Sequence, residues 1–150
     1  MPTHKETKTV NFTSKQMFDL VADIDKYYEF LPWCNSSKVI KRELVSDSLV
    51  RLIADLEIGY KNLVYVYRSD VLLNSNTMEI QVNFIEGPFK YLVNNWLFTS
   101  LNNDNSKIDF YIDFELNVKF FNFLISQFFD KAFNKMVGAF ESRANQIYTH

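Results

Sequence analysis

Apolar and polar residues alternate with a period of two through the middle of this chain, and with a helical period near its two ends. The opening stretch Lys8-Thr9-Val10-Asn11-Phe12 alternates as a short strand. Thr13-Ser14 then offers an N-cap, since a hydroxyl there can accept from the unpaired N–H groups of a first helical turn. Met17, Phe18, Leu20, Val21 and Ile24 follow at helical spacing. A second short helical piece carries Tyr27, Tyr28, Phe30 and Leu31 and stops at Pro32, which lacks an N–H and disfavours a helical residue before it.

From Ser37 to Asn117 the period is two. Val50, Leu52, Ala54, Leu56 and Ile58 alternate with polar residues up to a turn at Gly59, and Leu63 to Leu73 is a longer strand with apolar residues on both faces. Asn74-Ser75-Asn76 is a turn, because Asn and Ser hydrogen-bond locally. Met78, Ile80, Val82 and Phe84 alternate with Glu79, Gln81 and Asn83. After Gly87-Pro88 come Leu92 to Leu101, the polar turn 102–105, and a last strand with Ile108, Phe110, Ile112, Phe114 and Leu116 on one face. From Lys119 onward the helical period returns, with Phe121, Leu124, Ile125, Phe128, Ala132, Met136, Phe140, Ala144 and Ile147 in one stripe. The expected architecture is α+β: a curved antiparallel sheet of seven strands, two short helices, and one long C-terminal helix across the concave face. It forms a single domain over residues 1–150, without linker or repeat.

The long helix carries more apolar surface than one stripe needs. Phe120, Phe123, Phe129 and Phe133 widen its apolar sector beyond the roughly 100° that a core-facing helix uses. Such an excess points to a cavity, a partner or a membrane surface. The segment from Phe120 through Phe121, Phe123 and Phe128 to Phe129 is the expected place of transient membrane contact. Composition agrees: aromatic residues make up 17% of the chain, with 15 Phe and 8 Tyr, against only 3 Gly and 3 Pro. So few chain breakers exclude a disordered or loop-rich protein.

Charge and cysteine content exclude further classes. A net charge of -2 gives no general attraction to nucleic acid or anionic lipid. Cys34 is the only cysteine, so no internal disulfide forms, which fits a reducing compartment. The first thirty residues hold no apolar core of a secretory signal, and nowhere do about 18 apolar residues run together. The expectation is a cytoplasmic protein, peripheral at the inner membrane. Candidates for catalysis are few. His4 and His150 are expected in frayed termini, without the neighbours that tune a general base. Asp109, Asp113 and Glu115 alternate onto the polar face of one strand, Cys34 reads as a small buried hydrophobe, and Lys38, Lys41 and Arg42 form a modest basic cluster. No metal-ligand spacing or Gly-rich phosphate loop is present.

Four blocks of residues carry a resemblance. They are Tyr28-Glu29-Phe30-Leu31-Pro32-Trp33-Cys34; Ala54-Asp55-Leu56-Glu57-Ile58-Gly59-Tyr60-Lys61; Glu86-Gly87-Pro88-Phe89-Lys90-Tyr91-Leu92 with Trp96 and Phe98; and Met136-Val137-Gly138-Ala139-Phe140-Glu141-Ser142-Arg143-Ala144. In this order they resemble the coenzyme Q-binding protein family, which includes bacterial proteins called RatA. The resemblance implies a helix-grip, START-like fold over an apolar cavity, and a ubiquinone-binding role in support of respiration. It implies no catalysis and no cofactor, with ubiquinone or a similar polyprenyl lipid as the bound ligand. One departure is Asn94, where the family carries Gly; Asn tolerates the left-handed region, so a turn is expected to survive there.

In such a fold the tip of the second short helix meets the sheet edge at the cavity mouth. Leu31, Trp33, Phe89 and Trp96 are the expected gate. Phe84, Phe98, Phe110 and Phe114 of the strands, with Phe128 and Met136 of the helix, are the expected lining. Tyr65, Tyr67 and Asn83 are the expected partners of a quinone head. Two alternatives stand beside this reading. A ribosome-binding toxin that hinders subunit association is known among RatA relatives, and it needs a more basic surface than this chain offers. A cyclase or dehydrase needs a polar catalytic group in the cavity, where inward positions read as almost wholly apolar.

Overall fold

Each alternating stretch becomes a strand in the computed structural model, which describes residues 3–60, 63–117 and 123–148. The strands are β1 (Thr3–Val10), β2 (Cys34–Leu44), β3 (Leu49–Tyr60), β4 (Leu63–Asn74), β5 (Glu79–Glu86), β6 (Phe89–Ser100) and β7 (Ser106–Leu116). They form one antiparallel sheet in the order β1-β7-β6-β5-β4-β3-β2. Five of the neighbouring pairs are successive in sequence. The remaining pair, β1 and β7, brings the two ends of the sheet's chain path together.

That topology puts β1 and β2 on opposite edges, so the chain between them must cross one end of the sheet. It does so as α1 (Ser14–Ala22) and a short 3-10 helix (Ile24–Glu29). The cap of α1 is the one the sequence offers. Thr13 Oγ1 accepts from the Gln16 N–H at 3.0 Å, and Gln16 Oε1 accepts in return from the Thr13 N–H at 2.9 Å. Met17, Phe18, Leu20 and Val21 of α1 are buried against the sheet.

Two expectations are corrected. His4 is not in a frayed terminus. It lies in β1 opposite Ile112, with its Nε2 3.3 Å from Glu6 and its ring 5.9 Å from that of Phe110. An eight-residue ladder holds the strand, and the Thr3 and Thr7 hydroxyls donate to Asp113 and Asp109 at 3.0 and 2.8 Å. His150, Phe120 and Phe121 lie outside the described residues.

The second correction concerns the C-terminal helix. It is divided into α2 (Phe123–Asn134) and α3 (Met136–Tyr148). At the join the Lys135 N–H is shared between the carbonyls of Lys131 and Ala132, both at 3.2 Å, a tightened turn of the kind found at helix ends. The buried stripe is Ile125, Phe129, Ala132 and Phe133 in α2, continued by Val137, Phe140 and Ala144 in α3. Phe129 and Phe133 are therefore core, while Leu124 and Ile147 of the expected stripe are exposed. A helix that is apolar over most of its girth defines a sector but no phase; the facing sheet selects the phase.

Candidate ligand cavity

The concave face of the sheet and the helices enclose an apolar cavity. Its floor is built from Ala54, Leu56 and Ile58 of β3, Tyr67, Ser69 and Val71 of β4, Ile80 and Val82 of β5, Leu92, Asn94 and Trp96 of β6, and Ile112 of β7. These positions share a face because side chains two apart on a strand point the same way. Phe129, Ala132, Phe133, Met136 and Phe140 roof it, and Val21, Ile24, Tyr27, Leu31, Trp33 and Cys34 close the end. The cavity they leave is small, about 70 Å³. At roughly 10–15 Å³ for each water centre, that is room for a few waters. A ligand therefore enters only with side-chain movement.

The structure brings Leu31, Trp33, Tyr67, Trp96 and Met136 to this cavity and places the other expected residues around it. Phe89 is 2% exposed and sits behind the wall, its ring 5.7 Å from Tyr67, 5.7 Å from Phe84, 6.0 Å from Phe114 and 4.9 Å from Phe129. Phe98 and Phe110 brace Trp96 at 5.9 and 4.7 Å. Phe128 leans on Phe129 at 5.1 Å. Tyr65 shares the inward face of β4 with Tyr67 but lies nearer the strand end, where it borders a groove with Val64, Val66 and Pro88, and Asn83 is exposed on the convex face, as its parity opposite Val82 and Phe84 requires. Of the four residues expected at a gate, Trp33 alone is partly exposed; it lines both the cavity and an outer groove with Pro32, Lys135 and Arg143.

Asn94 is the next correction. It occupies the middle of β6 opposite Val82 and Ile112, with no left-handed backbone, and its side chain reaches the cavity. Its Oδ1 accepts from Trp96 Nε1 at 3.0 Å and its Nδ2 donates to the Tyr111 carbonyl at 2.9 Å. The interior is also less uniformly apolar than alternation suggests. Ser69, in the stretch read as two-sided, is 4% exposed. The signal that could have found it is parity: Tyr67, Ser69, Val71 and Leu73 form one face of β4.

Burial holds the ionisable groups of the cavity neutral. Burial pushes the Cys34 thiol up to about 11, with weak opposition from hydrogen bonds to Ser37 and Ser36. Burial likewise raises the Tyr67 phenol, with a smaller contribution from Cys34, and raises Tyr27 well above its ordinary value. No His or carboxylate lines the cavity among the described residues. The arrangement can hold an apolar molecule and offer it hydrogen bonds; it has no group poised to exchange a proton near neutral pH.

The four sequence blocks are the cavity's joints. Arg143 of α3 donates from Nη2 to Glu29 Oε1 at 2.5 Å and lies 5.3 Å over the Phe30 ring, while Phe140 meets Phe30 and Tyr27 edge-on at 5.0 and 5.1 Å. The Gly59 N–H donates to the Trp33 carbonyl at 3.0 Å, tying the β3 end to the mouth. Gly87 has φ +146° and approaches Tyr67 so closely that it admits no Cβ.

The model of the family described as polyketide cyclase / dehydrase and lipid transport matches residues 10–141. The chain belongs to that family. Among its relatives, the ribosome association toxin RatA of Escherichia coli is 30% identical over 99% of this chain and 90% of its own. The coenzyme Q-binding protein COQ10 homolog B, mitochondrial, of Xenopus laevis is 34% identical over 97% of this chain and 59% of its own. A START superfamily protein from Mycobacterium smegmatis has the same fold, with a TM-score of 0.77 at 16% identity over 97% of this chain and 98% of its own. The helix-grip, START-like architecture expected from the sequence is thus the one observed. No helix of the described residues is long and apolar enough to cross a membrane.

Proposed function

We propose that this family member is a non-enzymatic binding protein for ubiquinone or a similar polyprenyl lipid, supporting respiratory electron transport. The observation that carries the reading is a mostly apolar cavity between sheet and helices whose ionisable groups, Tyr27, Cys34 and Tyr67, are kept neutral by burial. The name of the Xenopus relative supports the ligand class. The narrowness of the cavity also fits a carrier. An empty void of roughly 300 Å³ would cost on the order of 7 kcal/mol at about 24 cal/mol per Å³, comparable with a whole domain's stability of about 5–15 kcal/mol. A cavity that opens only around its guest avoids that cost. Each isoprene unit gains at most about 4 kcal/mol over water, at ~0.8 kcal/mol per carbon, but nearly nothing over a bilayer, so the load is releasable.

Organic extracts of the natively purified protein are expected to contain a prenylated quinone by mass spectrometry, and ubiquinone analogues are expected to raise its Tm. Extracts indistinguishable from a mock purification, together with an unmoved Tm, reject the carrier reading. A second reading, a RatA-like toxin that hinders ribosomal subunit association, draws on full-length relatives of that name. On the outer surface Arg51, Arg68 and Lys90 are each paired with a carboxylate, and the chain as a whole carries a net charge of -2, which does not favour contact with RNA. Sedimentation of ribosomal subunits with the purified protein decides it: fewer joined ribosomes would favour the toxin.

A lipid carrier must meet a bilayer. β4 begins and β5 ends at one end of the sheet, and there Leu63, Val64, Val66 and Ile85 are exposed. β7 ends at the same end, shortly before α2 opens on Phe123, which is 68% exposed. Of the segment expected to touch a membrane, Phe129 is buried, and Phe120 and Phe121 lie outside the described residues. Wild-type protein is expected to float with phosphatidylcholine vesicles with little dependence on salt, and Val64→Ser/Phe123→Ser to float less. Equal flotation by the folded double variant discards this contact face.

A further inference from the structure

Resting on the carrier reading, we propose that the quinone enters head-first, and that Ser69 and Tyr67 donate hydrogen bonds to one ring carbonyl while the tail runs out past Trp33. Ser69 is 4% exposed, and its Oγ has no hydrogen-bond partner. A buried hydroxyl left unpaired costs folding free energy, so an Ala at this position would fold at least as well. Ser69 lines the cavity beside Tyr67, two residues away on the same face of β4. Both remain protonated at neutral pH and so are hydrogen-bond donors; burial secures this for the Tyr67 phenol.

Three other polar side chains of the cavity already have partners. The Tyr27 hydroxyl donates to the Val21 carbonyl. The Cys34 thiol donates weakly to the Ser36 carbonyl at 3.3 Å. Asn94 spans Trp96 and Tyr111. What the cavity offers a guest is thus a donor pair at the β4 position, which matches a carbonyl oxygen with its two lone pairs. A hydrocarbon tail lodged there would leave Ser69 unpaired, whereas a quinone ring satisfies it. Trp33, which borders both the cavity and an outer groove, separates the cavity from solvent and gives the tail its exit.

The test compares two probes, decylubiquinone and decylbenzene, which share a tail but not the carbonyls. Affinities are measured by tryptophan fluorescence on the full chain, for wild type, Ser69→Ala and Tyr67→Phe. Each substitution is expected to lower the ratio of decylubiquinone to decylbenzene affinity by about three- to tenfold, the scale of one lost hydrogen bond. Ser69→Ala is also expected to keep or raise the Tm of the ligand-free protein. An unchanged ratio in both variants overturns the head-first assignment and leaves the carrier reading standing. A lowered Tm in Ser69→Ala would give the hydroxyl a structural partner and overturn it as well. Wild-type protein that binds neither probe overturns the carrier reading together with this one.

Discussion

Trp96→Ala is expected to destabilise the protein by about 3–5 kcal/mol, the usual cost of truncating a packed core Trp. The indole is 4% exposed and is held on every side: Phe110 at 4.7 Å, Phe140 at 5.3 Å, Phe98 stacked at 5.9 Å, and Asn94 on its N–H. Removing it strands the Asn94 carbonyl oxygen and joins a new void to the cavity. Trp33→Ala makes the informative contrast. That ring is only partly buried, so its loss is expected to shift Tm by a few degrees at most and to speed lipid release instead. Urea unfolding of both variants, with lipid content per folded molecule, checks the pair. A Trp96→Ala protein with near wild-type stability would show that the cavity relaxes around the gap. A Trp33→Ala protein as unstable as Trp96→Ala would make Trp33 core and not gate.

Gly87→Ala is expected to harm both folding and binding. The residue's φ of +146° is one that only Gly adopts readily, worth about 1–3 kcal/mol of strain to any other residue. An added Cβ would also lie 2.5 Å from the Tyr67 Cβ and 3.0 Å from its Cα, so the β4 backbone would have to shift. The close approach follows from a register shift between Arg68 and Ser69, where β5 fits an extra residue against β4. Because Tyr67 lines the cavity, loss of lipid should exceed the fraction of unfolded protein. Thermal melts and mass spectrometry of the folded fraction measure both. A wild-type Tm with wild-type lipid content would show that the turn can rebuild without Gly.

Much of the architecture was legible from patterning alone. The cap at Thr13, the stop at Pro32 and the alternation of β3, β5 and β7 depend on neighbours a few residues away, and local chemistry determines them. The motif blocks pointed to the right family because their residues are the joints of the cavity, where Arg143 meets Glu29 and Gly59 meets Trp33.

Other features depended on partners far away in sequence. β1 is held by residues about a hundred positions later, so nothing local marked Thr3 to Thr7 as strand or placed His4 in it. The C-terminal helices are apolar around most of their girth, and only the curved sheet decided that Phe129 and Phe133 face inward while Leu124 and Ile147 do not. The site itself was the least legible part. Tyr67 and Met136 reach the cavity, but Phe89, Phe98, Phe110 and Phe114 stand behind its wall, since which buried ring borders a void is set by sheet curvature and helix placement. Ser69 was hidden because β4 is flanked by apolar residues on both faces, which erases the alternation that would have oriented it. By itself the sequence determined the elements, their order and their family, since those rest on short-range periodicity and turn chemistry. Which side chains share the cavity was decided only by the tertiary structure, because a cavity is the space left when distant elements pack.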